Sequence, residues 1–439
     1  MADGTAAAPP YGELAAAFEH GLAGRPTRRQ PLFTALSGGP DSSALALLAA
    51  SFAARHGHRH TALIIDHGIR PDSAAEAARV RDRMLERGIV AEILKVGATA
   101  PATGLQAWAR AMRYDLLLER AHREGGCLLL GHHAGDQAET VVMRLRRGSG
   151  LAGLGGMRSH AVRAGVDVLR PLLGVDPAHL AACCREHGLA TETDPSNEDR
   201  RFERVRVRGE LADMARDGTA LPERLGRLAS AAAAIDDRLL ALLARDGLLP
   251  APAPSGHMAV PSGILDLPDL VRNRALAHIV RQIGAAEHVP SGRALARLGA
   301  RLAAGQAATV GGAKFSPEDG GWLVTAEPGR RPPRLHMAAG SRAVFNHVWE
   351  IESPVEATVR HLGEAGSGAN REWDETPGWC ALPPLVRRAL PVLETLDGSV
   401  VYPHLIERWP ECAVRPSAAM RFLAVAPRTS QPKGHRRRR

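Results

Sequence analysis

The hexapeptide S-G-G-P-D-S, Ser37 to Ser42, constrains this chain more than any other stretch of it. It follows an apolar run that reads as a strand, Pro31 to Leu36, and opens directly into a helix-like run, Ser42 to Arg55. Glycines let backbone N–H groups approach phosphate oxygens, serine hydroxyls donate further hydrogen bonds, and the start of a helix adds partial positive charge. A loop of Ser37, Gly38, Gly39, Pro40, Asp41 and Ser42 therefore suits pyrophosphate. It lacks the G-K-S or G-K-T ending of a Walker loop, so transfer of a terminal phosphoryl group is not expected. Asp41 is the informative member, because a carboxylate aimed at phosphates is repulsive unless a divalent cation lies between them, which predicts Mg2+. The plainer alternative is a strand-to-helix turn capped by Asp41 and Ser42.

The fold class follows from alternation. Further strands are expected at Thr61 to Asp66, Val90 to Val96, Cys127 to Gly131 and Val166 to Leu169. Amphipathic helices are expected between and after them at Ser73 to Arg87, Gly104 to Glu124, Gln137 to Arg147 and about Asp176 to Gly188. This is an α/β pattern, a doubly wound and mostly parallel sheet whose ligands bind beyond the carboxyl ends of the strands. From about Leu221 the texture changes to alanine, leucine and arginine at helical spacing, with a short β-like piece at Trp322 to Thr325 and a proline-containing linker at Arg330 to Arg334. The expected domains are 1–217 for nucleotide binding, a mainly helical unit at 218–330, and a small α+β C-terminal region at 331–439 that ends in a basic tail.

Polar residues crowd the expected strand ends. Asp66, His67 and Arg70 follow the second strand, and Ser73 can cap the next helix. After the fourth strand comes L-G-H-H-A-G-D-Q-A-E-T, Leu130 to Thr140. The pair His132 and His133 with Asp136 and Glu139 raises a transition-metal site, but H-H-x-x-D is not the helical H-E-x-x-H spacing and no thiolate is near in sequence. The better reading has His132, His133 and Asp136 lining a nucleotide site, with Asp136 helping Asp41 hold magnesium. Q-A-W-A-R-A-M-R-Y, Gln106 to Tyr114, places Arg110, Arg113 and Tyr114 on or near one helical face. D-P-S-N at Asp194 to Asn197 is turn chemistry, and the alternation of Arg204, Arg206 and Arg208 with Val205 and Val207 suggests a charged face aimed at phosphate. A solvated basic surface is the alternative for both arginine sets.

Composition narrows the partners. The 439 residues carry a net charge of +9 and a pI near 10.0, which favours a polyanion, although nearly all the basic excess is arginine. Five cysteines, Cys127, Cys183, Cys184, Cys380 and Cys412, form no C-x-x-C and no zinc spacing, so reduced and packed thiols are expected. No signal-like start and no run of roughly 18 apolar residues is present, and a cytoplasmic chain without membrane contact is expected.

S-G-G-x-D-S resembles the loop of the PP-loop ATP pyrophosphatase family, whose adenine nucleotide hydrolase-like fold matches the sheet expected here. The string Leu130 to Met157, with the Gln106 to Tyr114 and Arg170 to Arg208 segments, is similar to the tRNA(Ile)-lysidine synthase family over about Leu32 to Leu211. Most relatives carry two aspartates where this chain has Gly135 and Asp136. The resemblance implies an ATP-dependent ligase forming a carbon–nitrogen bond. Its substrates would be free L-lysine and the isoleucine tRNA with anticodon CAU, joined at C2 of the wobble cytidine through an adenylated intermediate. The implied ATP site is Ser37 to Ser42 with His67 and Arg70. Asp41 and Asp136 would hold Mg2+, while Arg113, with Arg206 or Arg208, offsets developing charge and His133 orients the base or the phosphate. The second and third units would grip the tRNA, and a homodimer is the candidate assembly. The rivals are a PP-loop sulfurtransferase, which would need cysteine pairs, and a non-catalytic RNA-binding protein with a decayed nucleotide site.

Overall fold

The computed structural model describes residues 11–401, apart from 23, 28, 70–71, 99, 102, 164, 193–200, 202, 216–220, 254, 285–288, 328–333, 346–348, 354, 364–381 and 399. The chain divides into two compact units, Met1–Ala234 and Ile235–Arg439.

The first unit opens with helix α1 (Tyr11–Leu22) and then alternates: β1 (Leu32–Leu36), α2 (Pro40–His56), β2 (His60–Asp66), α3 (Ser73–Leu85), β3 (Ala91–Lys95), α4 (Leu105–Arg123), β4 (Cys127–Leu129) and α5 (Ala134–Arg146). A short helix α6 (Leu151–Leu154), the hairpin strands β5 (His160–Arg163) and β6 (Val166–Leu169), α7 (Pro177–Glu186) and α8 (Glu203–Ala215) complete it. The six-stranded sheet has the order β3-β2-β1-β4-β6-β5 and is parallel except for edge strand β5.

The expected doubly wound α/β fold is thus present, and side-chain alternation shows why both faces are covered. Leu32, Leu36, Ala62, Ile64, Cys127 and Leu129 pack on one face against α1, α2, α3 and α7. Phe33, Leu63, Leu128, Val166 and Val168 point the other way, onto Leu117, Leu118 and Ala121 of α4. Chain order reverses where β1 lies between β2 and β4, with Leu32 paired to His60 on one side and to Cys127 on the other. In such sheets the reversal leaves a crevice at the strand ends. The loops after β1 and β4 meet there.

Within the second unit, helices α10 (Asp269–Ile283) and α11 (Gly292–Ala303) pack on a four-stranded antiparallel sheet. Its strands are β7 (Met258–Pro261), β8 (Ala308–Val310), β9 (Ala313–Glu318) and β10 (Gly321–Ala326), in the order β7-β10-β9-β8. The expected β-like piece Trp322 to Thr325 is the middle of β10, and its neighbours are too short for a period-two pattern to stand out in the sequence. Leu276, Ile279, Leu298, Phe315 and Val324 form the core of this part. A second core of Phe345, Trp349, Val359, Leu390 and Val392 sits among the antiparallel strands between Arg334 and Val401. Long helix α9 spans Leu221–Arg245.

Candidate active site

The phosphate loop is built by one serine. Ser42, in the first turn of α2, accepts from the backbone N–H of Ser37 at 3.1 Å, contacts the Ser37 hydroxyl at 3.0 Å, and donates to the Gly39 carbonyl at 3.1 Å. These bonds curl the backbone into a cradle before α2 begins. Gly38 holds φ at +86°, and a Cβ there would lie 2.7 Å from Val80, so only glycine fits the turn. Gly131, beyond β4, would bring a Cβ to 3.2 Å from the Asp41 carbonyl. That close approach sets the β4 loop against the start of α2.

His133 then organises the β4 side. It is the N-cap of α5: its Nδ1 accepts from the backbone N–H of Gly135 at 3.1 Å and of Asp136 at 3.4 Å, while Oδ2 of Asp136 accepts from the His133 N–H at 3.1 Å. With Nδ1 accepting, the ring proton belongs on Nε2. Nε2 faces two carboxylates, Asp41 Oδ2 at 3.6 Å and Asp136 Oδ2 at 3.5 Å. Gly135 makes this geometry possible, because a Cβ at that position would lie 2.9 Å from the His133 ring.

The two carboxylates differ in electrostatic setting. Burial, aided by Asp136 and opposed by His133 and Arg208, holds the Asp41 carboxyl above its ordinary range. Burial also works against the Asp136 carboxylate, but His133, Arg204, His132 and the His133 N–H outweigh it and hold that carboxyl below its ordinary range. Burial pushes the His132 imidazole down to about 4, so it is neutral near pH 7. His67, beyond β2, is lowered by burial and then by the charge of Arg113, and neither ring nitrogen has a partner among the described residues.

Two hard oxygen donors converging in front of a phosphate cradle fit magnesium, which keeps several waters and is completed by substrate phosphates. Among the described residues no group of three or more His, Cys, Asp or Glu side chains could hold a metal ion.

Helix α8 closes the site from a distant part of the chain. Arg204 donates Nε–H to Glu139 Oε2 at 2.6 Å and Nη2–H to Asp136 Oδ1 at 3.1 Å; Arg208 donates to Glu139 Oε1 at 2.6 Å. The alternation read in the sequence for Arg204, Arg206 and Arg208 is replaced by helical geometry. Arg204 and Arg208, four apart, share the face that meets Glu139, whereas Arg206 donates to the Arg201 carbonyl. The structure thus brings together Ser37, Gly38, Gly39, Pro40, Asp41, Ser42, His133, Asp136 and Arg208, sets Arg113 near His67, and bonds Arg206 to the Arg201 carbonyl. The sequence named Arg204 only within a charged face and Glu139 only beside the two histidines, and it missed their pairing with each other and with Asp136; the four-residue spacing of Arg204 and Arg208 was the signal that could have found it. Arg70 and Asp194 to Asn197 lie outside the described residues.

The glycine-rich stretch after α5 is stapled back to it. Gln137, buried, pairs with both backbone groups of Met157, and Arg144 donates to the carbonyls of Gly153 and Gly156 at 3.0 and 2.6 Å. Cys127, Cys183 and Cys184 are buried free thiols, pushed up by burial to about 12, 11 and 12. Cys380 and Cys412 lie outside the described residues.

Residues 13–215 match the PP-loop domain family. The tRNA(Ile)-lysidine synthase of Novosphingobium aromaticivorans is 40% identical over 304 residues, which cover 68% of this chain and 90% of that protein. The tRNA(Ile)-lysidine synthase of a Bradyrhizobium species (strain BTAi1) is 39% identical over 280 residues, 61% of this chain and 78% of that protein. That of Ruegeria pomeroyi is 34% identical over 365 residues, 80% of this chain and 84% of that protein. Identity of 34–40% with these relatives, over 78–90% of their length, shows that the chain belongs to the tRNA(Ile)-lysidine synthase family.

Proposed function

We propose that this chain joins free L-lysine to C2 of the wobble cytidine in the CAU-anticodon isoleucine tRNA, cleaving ATP to AMP and pyrophosphate. In the first step the cytidine O2 attacks the α phosphorus of ATP and pyrophosphate leaves. In the second the ε-amine of lysine attacks C2, the C2–O bond breaks, AMP departs, and the amine loses its proton. The observation that carries this reading is the meeting of Asp41 and Asp136 at His133 Nε2, beside the Ser37 to Ser42 cradle.

Each residue has a task in that scheme. The cradle binds the pyrophosphate portion of ATP through backbone N–H groups and serine hydroxyls. Asp41 and Asp136 would hold Mg2+, which when bound neutralises phosphate charge. His133 sets its Nε2 between the two carboxylates, 3.6 Å from Asp41 and 3.5 Å from Asp136. Arg113 and Arg208 offset negative charge developing on the phosphate; between Arg206 and Arg208, the second is favoured because its charge acts on Asp41. The unstacked wobble base is what a protein can read in RNA, and the regions 218–330 and 331–439 are assigned to holding the rest of the tRNA. No helix among the described residues is long and apolar enough to cross a membrane.

The test is incorporation of labelled free lysine into a CAU-anticodon isoleucine tRNA transcript with ATP and magnesium, using elongator methionine tRNA as control. Incorporation confined to the isoleucine transcript is expected. AMP release without lysine incorporation would assign a different nucleophile, and loss of both would reject the enzymatic reading.

A further inference from the structure

Tyr114 gathers three arginines from three separate segments. Arg110 lies one helical turn before it on α4, with its Cζ 5.3 Å from the tyrosine ring centroid. Arg163, the last residue of edge strand β5, places its Cζ 5.0 Å from the same centroid. Arg170, immediately after β6, is only 6% exposed and donates to the Arg158 carbonyl at 3.0 Å, and the Tyr114 side chain is its second partner. The buried Nε of Arg170 has no partner among the described residues.

A contrast on the same helix shows that this arrangement is not ordinary arginine packing. Arg120 also stacks on an aromatic ring, Phe33, at 5.0 Å, but its guanidinium is bound by Glu92 at 2.9 Å and Glu124 at 2.6 Å. Arg110, Arg163 and Arg170 make no ion pair with a carboxylate among the described residues. Three like charges held together around one ring repel one another, and stacking on the ring offsets little of that. An anion at this place would relieve it.

We propose that Arg110, Arg163 and Arg170, held around Tyr114, form a second phosphate site that grips the RNA backbone beside the base being modified. The inference rests on the tRNA-modifying reading above and deepens it by locating one contact of the substrate. The charges of Arg110 and Arg170 also act on His132, which puts the cluster next to the candidate active site. ATP is the other source of phosphate, but its pyrophosphate portion has the cradle after β1. Arg163 is exposed on β5, the terminal strand of the sheet, where a long polymer can reach it.

The experiment uses the full chain with Arg163→Ala, Arg163→Glu and Tyr114→Phe, measuring tRNA affinity across a salt series and the KM for ATP. Arg163 is exposed, so its replacement leaves the core intact. Arg163→Ala should weaken tRNA binding about 5-fold and reduce the slope of log K against log salt by about 0.7 to 0.9, the loss of one phosphate contact. Arg163→Glu should weaken it further, and Tyr114→Phe, which keeps the ring but removes the hydroxyl beside Arg170, should weaken it by roughly 2-fold. The KM for ATP should stay within about twofold of wild type. Unchanged tRNA affinity and slope in Arg163→Ala, with wild type still incorporating lysine, overturns the phosphate site alone. A rise in the KM for ATP matching the loss of tRNA affinity also overturns it, by assigning the cluster to the nucleotide. A wild-type chain that binds tRNA through Arg163 yet incorporates no lysine supports the phosphate site and overturns the proposed reaction.

Discussion

Arg204 donates its Nε–H to Oε2 of Glu139 over 2.6 Å, although the two residues are 65 positions apart. Arg208 takes the other oxygen of the same carboxylate, so successive turns of α8 are bound to one buried residue of α5. Through Arg204 the link continues to Asp136. The position of one site carboxylate therefore depends on a strut outside the phosphate loop.

Removing the strut's charge should loosen α8. Glu139 is 2% exposed, while Arg204 and Arg208 are 36% and 48% exposed, so solvent screens the arginines more than the acid. Glu139→Gln should cost about 1–3 kcal/mol, below the range for breaking a fully buried pair, and lower kcat/KM for lysine incorporation by roughly 10- to 100-fold. Denaturant unfolding beside a steady-state assay checks both; wild-type activity in the variant would show that the strut does not serve the site.

Gly135 makes a separate prediction. Its missing side chain lets the His133 ring fold over the first turn of α5. Gly135→Ala should displace that ring and cost about 1 kcal/mol for the lost cap. It should also raise the magnesium concentration needed for half-maximal activity, since His133 Nε2 no longer sits between Asp41 and Asp136. A magnesium titration that superimposes on the wild-type curve would contradict this role for the cap.

Asp41 should separate stability from activity. Its carboxylate shares the Nε2 of His133 with Asp136, and like charges so placed repel when no cation lies between them. Asp41→Asn should be no less stable than wild type in chelator-treated buffer, yet lose at least about 100-fold in kcat/KM. Magnesium with ATP should raise the melting temperature of wild type and leave that of the variant unmoved. Equal activity of the two proteins would remove Asp41 from the reaction.

Acid lability follows from His60 at the start of β2. Burial pushes this imidazole down to about 4 from the usual 6.5, with Nε2 beside the Thr34 hydroxyl at 3.0 Å. Between pH 6.5 and pH 4 the unfolded chain takes up a proton that the folded chain refuses. Stability is thus fully present above pH 6.5 and is lost as pH falls through that window, by at most about 3 kcal/mol from this group. His60→Gln should make the decline shallower without abolishing it, because His278 is likewise pushed down to about 4. Urea midpoints at several pH values between 4 and 7.5 test the slope; an identical slope in the variant would exclude His60 as a contributor.

What the sequence determined by itself was the alternation of β1 to β4, β6 and helices α2 to α5 and α7 in the first unit, and the position of the glycine-rich loop after β1. Both depend on local patterns, the apolar runs of Leu32 to Leu36 and Thr61 to Asp66 and the glycines between Ser37 and Asp41, which act over a few residues. The edge strand His160–Arg163 and the short strands before Trp322 left no such trace, because three to six residues with mixed exposure carry too few alternations. Only the tertiary structure decided which arginines face the site. Arg204, Arg206 and Arg208 read equally well as one charged face while the backbone state of 203–215 was open; a helix there puts Arg204 and Arg208 on Glu139 and Arg206 on the Arg201 carbonyl. The same holds for Tyr114, whose neighbours Arg163 and Arg170 come from the far edge of the sheet, and for Gly135, whose lack of a side chain acquires meaning only where the His133 ring lies over it. Side-chain contacts between distant segments depend on how helices and strands pack, and no local pattern encodes that packing.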